Sequence, residues 1–235
     1  MEYSGRGPFP APVASAIIAA AGRSSRMGFD KLMAELSGIP VLMRTMEAFE
    51  RCEAIGEIIV VTREANLSIV RSMVREGGFS KVSQVVRGGE TRQQSVYAGV
   101  CAASPEMPLL CIHDGARPLV SGQVISAAIQ AAAEHGAATA ALPVKDTIKR
   151  SRDGFSDGTV PRDGLMRIQT PQVFSRSLYL RAYQAAAGKE YTDDCQLLEA
   201  LGIPVAFSRG DEWNLKLTTE EDLLLAEAML QGSAG

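Results

Sequence analysis

An α/β fold on a mostly parallel, twisted sheet flanked by helices is what this sequence predicts, from three observations. Five β-rich apolar runs recur in order: VASAIIAA (13–20), EIIVV (57–61), KVSQVV (81–86), LLCIH (109–113) and AATAALPV (137–144). Most are apolar on both faces, which suits strands covered on either side by helices. Helical patterns fill the gaps between them, and strand alternating with helix implies right-handed βαβ units.

The elements follow in turn. Pro40 to Arg51 reads as a helix with Pro in its first turn, and 66–76, 91–103 and 121–135 as three more. His135, before Gly136, is expected at a helix end in a structural role. Residues 145–170 break the pattern: six Lys or Arg stand against four Asp around SRDGFSDG. A segment this polar forms no core of its own, so a protruding β-arm is expected. Helices return at 175–187 and 193–201, the second with Thr192 as N-cap and Asp193 and Asp194 in its first turn. A short strand VAFS (205–208) follows, then Lys216 in a further short strand. A last helix is opened by Thr218 and Glu221 at capping-box spacing. The organisation predicted is a tail (1–12) and one domain (13–232) that includes the arm.

Composition narrows the function. The chain has 235 residues, 46% of them apolar, enough for a sizeable core, and a formal charge of −3. That balance, without a basic stripe, argues against a nucleic-acid partner. Cys52, Cys101, Cys111 and Cys195 are scattered and predict free thiols, mostly buried, in a reducing compartment. No apolar run approaches the ~18 residues of a membrane span, and residues 1–12 lack the apolar centre of a secretory signal. A cytoplasmic protein is expected.

Ligands of such sheets bind beyond the carboxyl ends of strands, so the loops there carry the candidates. AAAGRSSRMGFDK (19–31) fails the dinucleotide fingerprint, because Arg23 follows Gly22. It fails the P-loop too, because five residues separate Gly22 from Gly28 and Phe29 follows. The failed fingerprint disfavours a nicotinamide-dependent oxidoreductase. What remains is a small-residue turn with Arg23, Arg26 and Lys31 nearby, suited to a triphosphate. RGGETRQQSV (87–96) offers a glycine pair, then Arg92 and Ser95 on one side of a helix. Either it is a glycine turn and a surface helix, or it is a base pocket with Arg92 near phosphate. IHDGARP (112–118) ends a buried strand in His-Asp, which is costly unless paired. Asp114 either caps the turn with Arg117 as partner or holds Mg²⁺ or a ribose hydroxyl. His113 is expected to be structural.

Seven segments, AAAGRSSRMG, RGGETRQQSV, HDGARP, PVKDTIKR, TPQVF, YTDD and NLKLTTEEDL, stand in the order seen in 2-C-methyl-D-erythritol 4-phosphate cytidylyltransferases. The chain resembles that family of the non-mevalonate isoprenoid pathway over about residues 13–230. The resemblance implies a Rossmann-like, GT-A-like nucleotidyltransferase domain, Mg²⁺, and a homodimer through the 145–170 arm. The implied reaction transfers CMP from CTP to 2-C-methyl-D-erythritol 4-phosphate. Carried over, Ala20, Ala21 and Gly22 line the CTP site, and Arg26 and Lys31 stabilise the transition state at the triphosphate. Gly89, Glu90, Arg92 and Ser95 contact CTP, with Asp114 beside the ribose and metal. Thr147 and Arg162 reach the acceptor in the neighbouring subunit, and Thr170, Thr192 and Lys216 surround it, Lys216 also taking part in charge neutralisation. Three positions depart from the family's habit: Asp30 precedes Lys31 where Pro is frequent, Gly115 replaces an Ala, and Glu90 stands where Asp is common. Ribitol-5-phosphate cytidylyltransferase is the rival reading, and a non-catalytic nucleotide-binding module is the rival from another class. Against the second stands the joint presence of Arg26, Lys31, Asp114 and Lys216.

Overall fold

Alternating apolar side chains in the strands build two cores, one on each face of a single sheet. In the computed structural model, residue 11 and residues 13–22, 31–186 and 188–232 are described. The expected tail, apart from Ala11, and Arg26 lie outside them. The chain runs β1 (Ala14–Ala20), a two-strand turn β2 (Glu35–Leu36) and β3 (Ile39–Pro40), then α1 (Val41–Glu50) and β4 (Ile55–Thr62). After them come α2 (Leu67–Glu76), β5 (Val82–Arg87), α3 (Arg92–Ala102), β6 (Leu109–Asp114), α4 (Gly122–His135) and β7 (Ala137–Pro143). The arm is β8 (Ile148–Arg152) and β9 (Phe155–Val160). Then β10 (Met166–Ser175), α5 (Arg176–Ala186), α6 (Cys195–Glu199), β11 (Ala206–Arg209) and α7 (Glu220–Gly232) complete the fold.

Seven strands form the sheet in the order β11-β7-β10-β6-β1-β4-β5. β10 runs antiparallel to both its neighbours, and every other pairing is parallel. Ala16, Ile18, Ile58, Val60 and Cys111 enter one core, with Leu42, Met46, Phe49, Ile125 and Ile129 from α1 and α4. Ile17, Ile59, Val61, Leu110 and Ile112 enter the other, with Val96, Val100, Tyr179 and Ala182 from α3 and α5. This double burial is what apolar runs without polar alternation imply. From β1 the chain steps to β4 and β5, then returns to β6 on the far side of β1. The crevice at the carboxyl ends of β1 and β6 is therefore a topological switch point, the usual ligand position in open α/β sheets.

Several local expectations shift. Pro40 is the N-cap of α1, so the helix begins one residue after it. Asp194, not Thr192, is the N-cap of α6, and Asp193 Oδ1 accepts from the Gln196 amide at 3.1 Å. Thr192 Oγ1 instead accepts from Gln196 Nε2 at 2.7 Å, because that long amide folds back over the turn. The cap of α7 moves by one: Thr219 Oγ1 accepts from the Asp222 amide, and Asp222 Oδ2 from the Thr218 and Thr219 amides. Asp reaches those amides where Glu221 was expected to. Lys216 lies in irregular chain rather than a strand: β11 ends at Arg209 and, among the described residues, no strand stands between it and α7. The strand β10 was hidden in the sequence by Arg167, Gln169, Pro171 and Gln172. Pro is ordinarily confined to edges and bulges, and β10 does shift register against β7 between Ile168 and Gln172.

The arm is as polar as expected. Every residue of β8 is exposed, and Asp153 and Gly154, both at positive φ, form the turn. Cys52, Cys111 and Cys195 are buried and Cys101 is exposed, all four as free thiols.

Candidate active site

β6 carries two polar residues to the carboxyl end of the sheet, and the surroundings of each explain why burial is tolerated. His113 is fully buried. Thr170 Oγ1 lies 3.0 Å from its Nδ1, and its Nε2 lies 3.3 Å from the Arg117 carbonyl oxygen. The consistent arrangement has Nε2–H donating to the carbonyl and the threonine hydroxyl donating to Nδ1, so the ring is neutral. Burial drives its pKa down to about 3; Asp114 opposes that effect, while Arg117 and Lys216 add to it. The structural role expected of His113 is the one observed.

Asp114 is the centre of the site. Lys216 Nζ lies 2.9 Å from its Oδ2, Arg117 Nε 3.5 Å from Oδ2 and Arg92 Nε 3.7 Å from Oδ1. Burial alone would push this carboxyl up, but Lys216, Arg92 and Arg117 together hold it well below the usual range. The first sequence alternative holds for the pairing, since Arg117 is a partner of Asp114, and two further cations, Lys216 and Arg92, join it. Its amide donates to Thr170 Oγ1 at 3.1 Å.

Four elements supply these groups. Asp114 pairs in register with Ala19 of β1, and the Gly115 amide donates to the Ala19 carbonyl at 3.0 Å, so the HDGA turn is bound to the first loop. Thr45 of α1, fully buried, donates to the Gly115 carbonyl at 2.9 Å. A Cβ at Gly115 would stand 3.3 Å from the Ala19 oxygen and from Ala20 Cβ, a tight fit that glycine relieves. Helix α3 brings Arg92. Its Gly99 admits Ile17 and Val61, which a Cβ would meet at 2.6 and 2.7 Å, so the helix lies close on the sheet. Thr91 caps it by accepting from the Gln94 amide.

Arg92 has a second partner that sequence reading missed. Its Nη1 lies 2.6 Å from Asp194 Oδ2, and Asp194 is buried. Tyr179 donates to the other carboxylate oxygen at 3.1 Å, and the Asp194 amide donates to Gln172 Oε1 at 3.0 Å. Burial opposes the charge on Arg92, but Asp194 and Asp114 outweigh it and raise its pKa. The signal was present as Asp-Asp after Thr192, but helix-capping accounted for both acids without a partner. Gln169, Gln172 and Asn214, also missed, are amides of β10 and the 211–217 segment that tie the site together.

The base-side loop is compact. A Cβ on Gly88 would stand 2.6 Å from Ala21 Cβ and 2.7 Å from Ser95 Oγ, so Gly88 lets strand ends β1 and β5 and helix α3 meet. Ser95 donates to the Thr91 carbonyl at 2.8 Å. A Cβ on Gly89 would meet Gln94, whose Oε1 accepts the Glu90 amide at 2.9 Å. Glu90 itself is exposed, as is Gly22, while Ala20 is buried and Ala21 and Lys31 are partly buried.

The structure therefore brings together Ala20, Ala21, Gly89, Arg92, Ser95, Asp114, Thr170 and Lys216. The Thr170 hydroxyl faces inward, engaged with the Asp114 amide and His113. Thr147 and Arg162 stand apart on the exposed arm, where Arg162 Nη1 donates to the Lys145 carbonyl. Thr192 is exposed beside α6.

Among the described residues no three His, Cys, Asp or Glu side chains gather as a metal cage. Asp114 is a single hard oxygen donor already held by cations. That chemistry fits a Mg²⁺ ion carried on substrate phosphates and sharing one protein carboxylate. Of the three cations around Asp114, Lys216 is the most exposed, its side chain 42% exposed against 29% for Arg92 and 11% for Arg117.

A switch-point crevice in a mostly parallel sheet, small residues on the first loop and clustered cations define a Rossmann-like nucleotidyltransferase. The family model described as IspD, 2-C-methyl-D-erythritol 4-phosphate cytidylyltransferase, matches residues 14–232, and the chain belongs to that family. A Pelotomaculum thermopropionicum protein of that name is 43% identical over 227 residues, covering 94% of this chain and 95% of its own. One from Dehalococcoides mccartyi is 44% identical over 218 residues, covering 92% and 95%. Among solved structures, 4-diphosphocytidyl-2C-methyl-D-erythritol synthase from Anaerococcus prevotii is 34% identical with TM-score 0.82, covering 94% of this chain and 99% of its own. The Thermus thermophilus cytidylyltransferase is 34% identical with TM-score 0.77, covering 92% and 98%.

Proposed function

We propose that the chain transfers a cytidylyl group from CTP to 2-C-methyl-D-erythritol 4-phosphate, giving 4-diphosphocytidyl-2-C-methyl-D-erythritol and pyrophosphate. The observation that carries the reading is Asp114 ringed by Lys216, Arg92 and Arg117 at the switch point, beside the closely packed Ala21–Gly88–Ser95 contact.

The nucleophile is a phosphate oxygen of the acceptor. With a second pKa near ~6, that phosphate is largely a dianion at neutral pH, so no general base is required. The neutral, fully engaged His113 agrees with this. The obstacle is repulsion: a dianion approaches a triphosphate, and charge grows on the α-phosphoryl group and the departing pyrophosphate. Positioned cations lower that barrier. Lys31 and Arg26 are assigned to the triphosphate. Lys216, oriented by Asp114, is assigned to the acceptor phosphate. Arg92, Gly89, Glu90 and Ser95 are assigned to the cytidine side, with Ala20, Ala21 and Gly22 admitting the nucleotide. Thr170 supports Asp114 from beneath. Mg²⁺, when bound to the phosphates with Asp114, supplies further charge neutralisation.

The working form is read as a homodimer in which the arm carries Thr147 and Arg162 to the neighbouring site, near Thr192. An arm without a core, with Phe155 78% exposed at its tip, supports that assignment. Four free thiols support a reducing, cytoplasmic setting. No helix among the described residues is long and apolar enough to cross a membrane.

Pyrophosphate release with CTP, Mg²⁺ and each polyol phosphate tests the reaction. Release is expected with methylerythritol phosphate; release only with ribitol 5-phosphate overturns the acceptor, and none with either overturns the enzyme. For the dimer, Arg162→Ala and Lys31→Ala variants are mixed after proven subunit exchange. Crossed arms rebuild one intact site per hybrid, so activity recovers; no recovery rejects the crossing.

A further inference from the structure

Lys216 sits in chain without regular structure, yet it meets Asp114 at 2.9 Å. Something other than a strand ladder must fix it. The backbone accounts for two anchors. The Gly210 amide donates to the Ala141 carbonyl at 2.9 Å, and the Leu217 amide to the Ala116 carbonyl at 2.8 Å. Between them stands Asn214, fully buried.

Asn214 bonds to three residues beneath the site, Thr170, Gln169 and Arg117. Its Nδ2 donates to the Thr170 carbonyl at 2.7 Å and approaches Gln169 Oε1 at 3.3 Å. Its backbone carbonyl accepts from Arg117 Nη1 at 2.7 Å and from Gln169 Nε2 at 3.3 Å. Thr170 in turn receives the Asp114 amide, and Arg117 faces the Asp114 carboxylate. One residue thus joins the support of Asp114 to the segment carrying Lys216, two positions on. The Asn214 Oδ1 is buried without a partner. An orphaned amide oxygen is a cost, so packing alone does not explain an Asn here; its donor does.

We propose that Asn214 is a positioning residue that sets where Lys216 meets Asp114, and so where the acceptor phosphate is held. The inference rests on the cytidylyl-transfer reading and on Lys216 as the acceptor's cation.

The test is a double-mutant cycle in pyrophosphate release, with KM measured separately for each substrate. Asn214→Ala is expected to lower kcat/KM for methylerythritol phosphate by tenfold or more, chiefly through kcat and acceptor KM, with CTP KM changing less than threefold. In a Lys216→Ala background the same substitution should change activity less than threefold, because the group it positions is already gone. Folded fraction is checked by circular dichroism and melting. If Asn214→Ala does not fold, Asn214→Ser takes its place, keeping a buried hydroxyl but losing the reach to Thr170. Equal losses in both backgrounds, or normal kinetics in a folded variant, overturn the proposal. An inactive wild-type protein strikes the underlying reading instead, so the two failures are separable.

Discussion

Two ion pairs of nearly equal length sit in opposite surroundings. Arg92 meets Asp194 at 2.6 Å beneath α3, and Arg152 meets Asp157 at 2.8 Å on the arm. The Asp194 side chain is 1% exposed, whereas Arg152 and Asp157 are 75% and 44% exposed. Distance therefore says little about what either does. In the core, losing one partner strands the other charge away from water; on the arm, water takes its place at once. The buried pair fixes geometry, and the exposed charges remain available to a partner or a substrate.

The largest effect should come from breaking the buried side. Arg92→Ala leaves Asp194 without its cation and Asp114 with one fewer. The expected loss is about 3–5 kcal/mol of stability, or roughly 6–20 °C in melting temperature for a chain of this size. Adding Asp194→Asn should recover much of that stability, because no charge is then left buried alone, while activity stays low for want of Arg92. Calorimetry on the three variants decides. If Arg92→Ala melts like the wild type, the two regions do not differ as argued.

A medium effect should appear with pH. His113 titrates near 6.5 unfolded and is held at about 3 when folded. Its native pKa is depressed, so the unfolded chain binds more protons once pH falls below 6.5. The stability from a neutral His113 is thus complete above that value and is lost progressively towards pH 3. By pH 5 the loss is roughly 2 kcal/mol. Melting temperature followed from pH 7.5 to 5 should fall more steeply in the wild type than in His113→Gln, which retains polar groups but does not titrate. Parallel slopes would remove His113 from the account.

The same contrast explains what was legible in the sequence. Strands β1, β4, β6 and β7 announced themselves because burial on both faces demands long apolar runs, whereas the edge strand β5, with Ser83 and Gln84 exposed, was marked by its valines alone. The arm announced itself by having no apolar face. Asp114 stood out because a carboxylate at the end of such a run needs partners, and Lys216 and Arg92 were matched by motif. What stayed hidden were pairings across long separations. Nothing local ties Arg92 to Asp194, 102 residues away, or Asn214 to Thr170, and capping chemistry already accounted for Asp194. Strand β10 was hidden because its polar residues, read one by one, look like loop, although Gln169 and Gln172 spend their amides on site residues.

The smallest effect on stability, and the finest probe of the contrast, lies where arm and core meet. Glu212 accepts from Lys145 at 2.7 Å and also pairs with Arg167, joining the base of the arm to the segment that carries Asn214 and Lys216. Hydrogen bonds from those two side chains hold its carboxyl below the usual value. All three side chains are largely exposed, so Glu212→Ala should cost no more than about 1 kcal/mol, and less still at high salt. Its effect should appear in catalysis instead. A loosened arm base gives Arg162 a wider range of positions, so acceptor KM should rise a few-fold with CTP KM unchanged. Added salt should weaken the wild type's hold on the acceptor towards that of the variant. A large melting shift with normal acceptor KM would mean that the arm is stabilised like the core, and the contrast between the two regions would have to be redrawn.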